Sequence, residues 1–227
     1  MKRMTASDAI AASLRSSILS LKLLPGSELN LQEMADRLGT SRSPVRDALL
    51  KLRDERLVDI IPQSGTRVAR INLSQVEVER FLRSSLEQDA AGLFCRKRKE
   101  KDLLSMDGAI QKQKEAKEAG DMVAFLTSDD DFHHVVFSST GLERIWNIIQ
   151  KESGNYHRIR LLSFGEPDVL ANIILRHQEL ESAFRGGNEA LVKELEAGHM
   201  GKLEQERVVL LDRYPDYFTK DEKEWTL

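Results

Sequence analysis

The sequence predicts a mainly α-helical protein, an N-terminal winged helix-turn-helix followed by an all-α antiparallel helical bundle. Three observations carry this reading. Apolar residues recur at helical spacing from Ser7 to Leu52, punctuated at Pro25-Gly26 and Gly39. The period shortens to that of extended chain between Leu57 and Arg70, and after Asn72 helical spacing returns with almost no strand signal. The expected domains are therefore residues 1–72 and 73–227. With 227 residues, 41% hydrophobic and 31% charged, each part is large enough to bury a core.

Ile10, Leu14, Ile18 and Leu21 form the buried stripe of a first helix that stops before Pro25. Asn30, with Glu33 three residues on, is a capping box opening a short second helix through Met34, Ala35 and Leu38, which Gly39 closes. Ser43 is the expected cap of a third helix, with Pro44 at its first position and Val45, Leu49 and Leu52 on its apolar face. Leu57-Val-Asp-Ile-Ile, a turn at Pro62-Gln63-Ser64-Gly65 and Thr66-Arg-Val-Ala-Arg then make a two-stranded hairpin. Two helices across a tight turn followed by a hairpin define the winged helix-turn-helix. Beyond it, helices are expected over 74–96, 99–119, 121–138, 141–163, 168–186 and 188–212.

Composition removes several classes. The apolar runs fall far short of the ~20 residues that cross a bilayer. The N-terminal stretch alternates polar and apolar residues instead of forming a signal core, so the expected location is cytoplasmic, with no membrane partner. Cys95, the single cysteine, can form neither an internal disulfide nor a thiolate cluster. The net charge of −3 argues against a non-specific nucleic-acid coat. Its distribution is uneven: up to Arg70 there are twelve Lys/Arg against eight Asp/Glu, net +4, leaving twenty-two against twenty-nine, net −7. The two parts are expected to meet different partners.

The basic part carries a DNA-reading pattern. Ser41, Arg42, Ser43 and Arg46 lie at the start of the third helix, the end that enters the major groove in a helix-turn-helix. There an arginine donates two hydrogen bonds to guanine O6 and N7, while serine hydroxyls and free amides hold phosphates. Arg42 and Arg46 are the expected base readers, and Gly65, Thr66 and Arg67 the expected wing-tip contacts to the flanking minor groove or backbone. Ordinary surface charge is the plainer alternative. The run Leu24-Pro-Gly, then Leu-Gly-Thr-Ser-Arg-Ser-Pro-Val-Arg-Asp-Ala-Leu, then Gly65-Thr-Arg-Val resembles the DNA-binding domain of GntR-family bacterial transcription regulators over nearly all of residues 7–70. That resemblance implies operator contacts for Arg42, Arg46 and Gly65.

In the helical part Asp129 and His133 are four residues apart on a helix whose apolar stripe is Phe125, Phe132 and Val136. His177 and His199 interrupt two further stripes. If Gly186-Gly187-Asn188 turns a helical hairpin, both lie eleven residues from Asn188 and stand level. Three histidines and one carboxylate suit a divalent transition metal, zinc first, with nickel or manganese as alternatives. The alternative is that each histidine is a neutral core residue with a local hydrogen bond. Asp130 and His134 share the same spacing one step round the helix and are read as solvent-facing. The pattern Asp129-x-x-Phe132-His133, His177-x-x-Leu180 and His199 resembles the metal-binding pattern of the FadR C-terminal (FCD) domain. This implies a metal that helps bind a carboxylate effector. Arg83, followed by Leu86-Glu87 and Ala90-Ala91, resembles the first FCD helix, which implies an arginine aimed at the effector; a surface ion pair with Glu79 or Glu87 is the alternative. His157, Arg158 and Arg160 are further candidate cavity residues.

The expected function is a sequence-specific transcription regulator whose affinity for an inverted-repeat operator is controlled by a small organic acid at the metal site. A homodimer is expected, because one recognition helix reads only a few base pairs. The competing reading, a metal-dependent hydrolase fused to a DNA-binding domain, lacks a general base or nucleophile motif beside the ligands.

Overall fold

Thr5 opens the first helix by a reciprocal bond: its hydroxyl accepts from the Asp8 amide, and the Asp8 carboxylate accepts from the Thr5 amide. In the computed structural model, which describes residues 5–166, 168–199 and 203–220 without side chains at 199 and 203–206, this helix is α1 (Ala6–Leu19). The Asn30 carboxamide accepts from the Gln32 and Glu33 amides to start α2 (Leu31–Arg37). α3 (Arg42–Asp54) begins after Ser41, two residues earlier than the cap expected at Ser43. Pro44 thereby falls in the third helical position, where its missing N–H still costs no intrahelical bond. Val45, Ala48, Leu49 and Leu52 of α3 pack with Ile10, Ile18 and Leu19 of α1, Ala35 of α2 and Val58 and Val68 of the hairpin.

The hairpin pairs β1 (Val58–Ile61) antiparallel with β2 (Gly65–Val68), Val58 opposite Val68. Gly65, expected in the turn, is the first residue of β2, and Gln63 supplies a left-handed conformation (φ +63°) in the turn. The segment after α1 adds a third strip that the sequence did not announce. Gly26 and Leu29 donate to the carbonyls of Val68 and Thr66, and Val68 donates to Ser27. A second addition comes from the far end of the chain: Ile71 donates to Tyr217 (2.8 Å), and Thr219 donates back to Ile71 (3.0 Å). Phe218 between them is buried.

These bonds explain how the chain divides. One compact unit comprises the residues up to Val76 together with those from Arg213 onward; the other is Glu77–Asp212. The span 73–227 expected for the helical domain thus gives up its C-terminal segment to the winged-helix unit.

The second unit is built from helices, beginning in α4 (Leu73–Lys97) and ending in α11 (Leu203–Arg213). Between them lie α5 (Glu100–Ala119), α6 (Met122–Thr140), α7 (Glu143–Glu152), α8 (Gly154–Ser163), α9 (Val169–Gly186) and α10 (Glu189–His199). α5 packs against α6 and α9, α9 against α10, and α6 against α7 and α8. Gly120 and Gly141 end α5 and α6 in the left-handed conformation, and Asp121 starts α6 by accepting from the Ala124 amide. The single helix expected over 141–163 is two. Ser153 breaks it, its hydroxyl accepted by the Ile149 carbonyl (2.6 Å), and the Tyr156 amide turns to the carboxylate of Glu79 on α4 (2.7 Å). The helix expected over 188–212 is described as α10 and α11 on either side of 200–202. No described helix is long and apolar enough to cross a membrane.

Candidate metal centre and nucleic-acid interface

Burial of Val45, Ala48 and Leu49 leaves the opposite face of α3 outward, and there Ser41, Arg42, Ser43 and Arg46 are all exposed. Ser41 caps the helix by position only; its side chain makes no capping bond. Gly65 is exposed at the wing, while Thr66 and Arg67 are half-buried. The Arg67 guanidinium lies 3.6 Å from Glu28, so the wing arginine is held along the strand.

In the helical unit three of the expected ligands converge. Asp129 and His133 come from adjacent turns of α6, and His177 comes from α9. All three are buried, and each offers a donor atom within 4.8 Å of the others. His133 Nε2 lies 3.8 Å from one Asp129 oxygen and His177 Nε2 lies 3.7 Å from the other. The His177 ring stacks on Phe132, centroids 4.1 Å apart and 10° from parallel. His199 is the last residue of α10, and its side chain lies outside the described residues.

A shell of charge surrounds this point. Arg83 on α4 is buried, not on the surface: it donates to Glu87 (2.7 Å) and to Asp130 (3.2 Å), with aromatic faces of Trp146 and Tyr156 5.7 and 5.9 Å from its guanidinium. Arg160 on α8 donates to Asp129 and to Asp130 (3.2 Å). Asp130, expected in solvent, is therefore bound on the inner side by two arginines. His134 does face outward, bonded to Glu143 and stacked on Trp146. Arg158 turns away to the Gly154 carbonyl and Asn155. His157 is half-buried, 4.0 Å from Asp130.

The sequence reading missed two residues of this shell. Gln113 on α5 has its carboxamide oxygen 2.9 Å from His177 Nδ1, and no motif marked it. Glu196 on α10 is buried, and among the described residues its Oε2 has no hydrogen-bond partner; the same is true of Glu87 Oε2. Glu196 differs from the polar residues around it in α10 only by burial, which periodicity alone did not isolate.

Electrostatics set the protonation states. Burial, with Arg160 and Arg83 nearby, pushes His177 down to about 3, so its ring is neutral at physiological pH. Burial and the neighbouring Glu87 push Glu196 up to about 8. Burial opposes the charge on Arg83, but Glu87 and Asp130 outweigh it. Burial also opposes the charge on Asp130, and Arg160 and Arg83 outweigh it, holding the carboxyl below its ordinary range. Glu79 and Arg158 offset each other and Glu196 keeps its proton, leaving three carboxylates, Glu87, Asp129 and Asp130, around two guanidiniums, Arg83 and Arg160.

Residues 80–202 match the FCD domain, and residues 6–68 match the bacterial regulatory proteins of the gntR family. The chain belongs to the GntR family of regulators, in the group that carries an FCD domain. It is 24% identical over 208 residues to the HTH-type transcriptional repressor RspR of Escherichia coli (strain K12), covering 92% of this chain and 91% of that protein. It is 26% identical over 179 residues to the probable D-xylose utilization operon transcriptional repressor of Paenarthrobacter nicotinovorans, covering 77% and 76%. Among solved structures, McbR/YncC of E. coli shares the fold with a TM-score of 0.76 at 20% identity, over 93% of this chain and all of that one. A putative GntR regulator from Rhodococcus sp. RHA1 does so at 0.77 and 20%, over 92% and 98%. This GntR regulator thus binds DNA to control transcription and is not an enzyme; the hydrolase reading finds no support.

Proposed function

We propose that the operator affinity of this GntR regulator is controlled by a small organic acid bound beside a divalent metal ion in the helical unit. The buried charge excess carries this reading. Three carboxylates around two guanidiniums leave one uncompensated negative charge in a place where an unpaired charge is costly, and Oε2 of Glu87 and of the protonated Glu196 has no hydrogen-bond partner among the described residues. A divalent cation held by Asp129, His133 and His177, with His199 as the fourth donor, offsets that excess. The nitrogen-rich set favours zinc, with nickel or manganese as substitutes. When bound, the ion supplies a Lewis-acidic positive charge to an effector carboxylate. Arg83 and Arg160 supply planar forks that donate paired hydrogen bonds to the same kind of group.

On the DNA side, Arg42 and Arg46 read base edges, Ser41 and Ser43 hold phosphates, and Gly65, Thr66 and Arg67 approach the flanking backbone. Two copies related by a two-fold axis read an inverted repeat. Effector binding shifts the population of DNA-competent arrangements, a coupling of about 1–3 kcal/mol. The test is metal analysis of tag-free protein, followed by thermal-shift screening of the metal-loaded form against sugar acids, hydroxy acids and dicarboxylates. One ion per chain in the native protein, lost when His177 and His199 are both replaced by alanine, supports the ligand set. A double variant that keeps its ion defeats it.

A further inference from the structure

We propose that Gln113 is a positioning residue of the metal centre: its carboxamide oxygen holds the His177 proton on Nδ1 and so turns the Nε2 lone pair toward the metal. The proposal rests on the metal reading above. His177 is fully buried, and a neutral imidazole carries one N–H that must find an acceptor. Gln113 Oε1 is 2.9 Å from Nδ1, within hydrogen-bond reach, whereas Asp129 Oδ1 is 3.7 Å from Nε2, beyond it. With the proton on Nε2, the Nδ1 lone pair would face the lone pairs of Gln113 Oε1. Stacking on Phe132 holds the ring plane.

The glutamine itself points the same way. Gln113 is fully buried, and its Nε2 has no hydrogen-bond partner among the described residues. An unmet buried donor is destabilising, and an apolar side chain of the same length would avoid it. Reversing the amide would present Nε2 to the ring, force the proton onto the other nitrogen and block it as a ligand. Partners of this kind orient metal-binding imidazoles and raise their basicity.

The experiment uses the full chain, metal-free and with 15N-labelled histidine. Long-range 1H–15N spectra assign the His177 tautomer, and chelator competition measures zinc affinity for wild type, Gln113→Met and Gln113→Glu. Wild type is expected to be protonated at Nδ1. Gln113→Met is expected to shift the tautomer and weaken zinc binding roughly 10- to 100-fold without lowering the melting temperature of the metal-free protein. Gln113→Glu, which keeps the acceptor, is expected to bind zinc at least as tightly as wild type. An Nε2–H tautomer in wild type, zinc binding by Gln113→Met equal to wild type, or weakened binding by Gln113→Glu each overturns the proposal. The last outcome decides even if the methionine variant does not fold. A wild type that takes up no zinc overturns the metal reading and this role with it, whereas a failure confined to the Gln113 variants leaves the metal reading standing.

Discussion

Arg42 and Arg46 stand exposed four residues apart on α3, clear of the packed face. Replacing either with alanine is expected to cost about 1–3 kcal/mol in specific operator binding with no change in melting temperature. A titration showing undiminished operator affinity removes the base-reading role. Glu196 leads to a pH prediction. Its folded value near 8 lies above its ordinary 4.5, so between those values the unfolded chain releases a proton that the folded protein retains. Stability of the metal-free protein therefore falls as pH rises through that window and levels off above it. His177 has the opposite sign: held near 3 against an ordinary 6.5, it makes stability fall as pH drops through that range. Metal-free Glu196→Gln is expected to be more stable than wild type at pH 8, by on the order of 1–3 kcal/mol, with the difference vanishing toward pH 5. Urea melts at both values check it, and a pH-independent difference counts against it. Asp129, His133 and His177 were legible in the sequence because each interrupts an apolar stripe. Asp130 and Gln113 were not, because periodicity cannot tell a polar residue facing solvent from one facing a buried partner on another helix.

Helix ends show the same division. The cap at Asn30 involves residues within three positions of each other, so local pattern finds it; the caps at Thr5 and Asp121 are equally local but were not singled out in the sequence. The break between α7 and α8 escaped because part of its cap is Glu79, brought from α4 by the bundle. The hairpin turn between α9 and α10 offers a direct test. Gly187 closes α9 at φ +69°, and a Cβ there would approach Arg98 Nη2 to 3.0 Å. Gly187→Ala is expected to cost roughly 1–2 kcal/mol in chemical denaturation. Because His177 and Glu196 sit on the two arms of that turn, the same variant is expected to weaken metal retention; unaltered stability would show that the turn tolerates a side chain.

At the scale of the molecule, the buried Phe218 and its bridge to Ile71 tie the C-terminal segment to the winged-helix unit. Phe218→Ala is expected to destabilise that unit by about 3–5 kcal/mol, read as an earlier unfolding transition. A calorimetric trace that keeps the wild-type transition would show the contact to be dispensable. The sequence by itself determined the kind of protein: its helices, its wing, its outward arginines and the residues that interrupt its apolar stripes. All of these depend on spacing within a few residues and on local hydrogen bonds. Only the tertiary structure decided that the last segment returns to Ile71, that Glu79 starts α8, that Arg83 and Arg160 share Asp130, and that Gln113 meets His177. Such pairings join residues tens of positions apart, and packing, which lowers the dielectric and removes water, makes each partner matter.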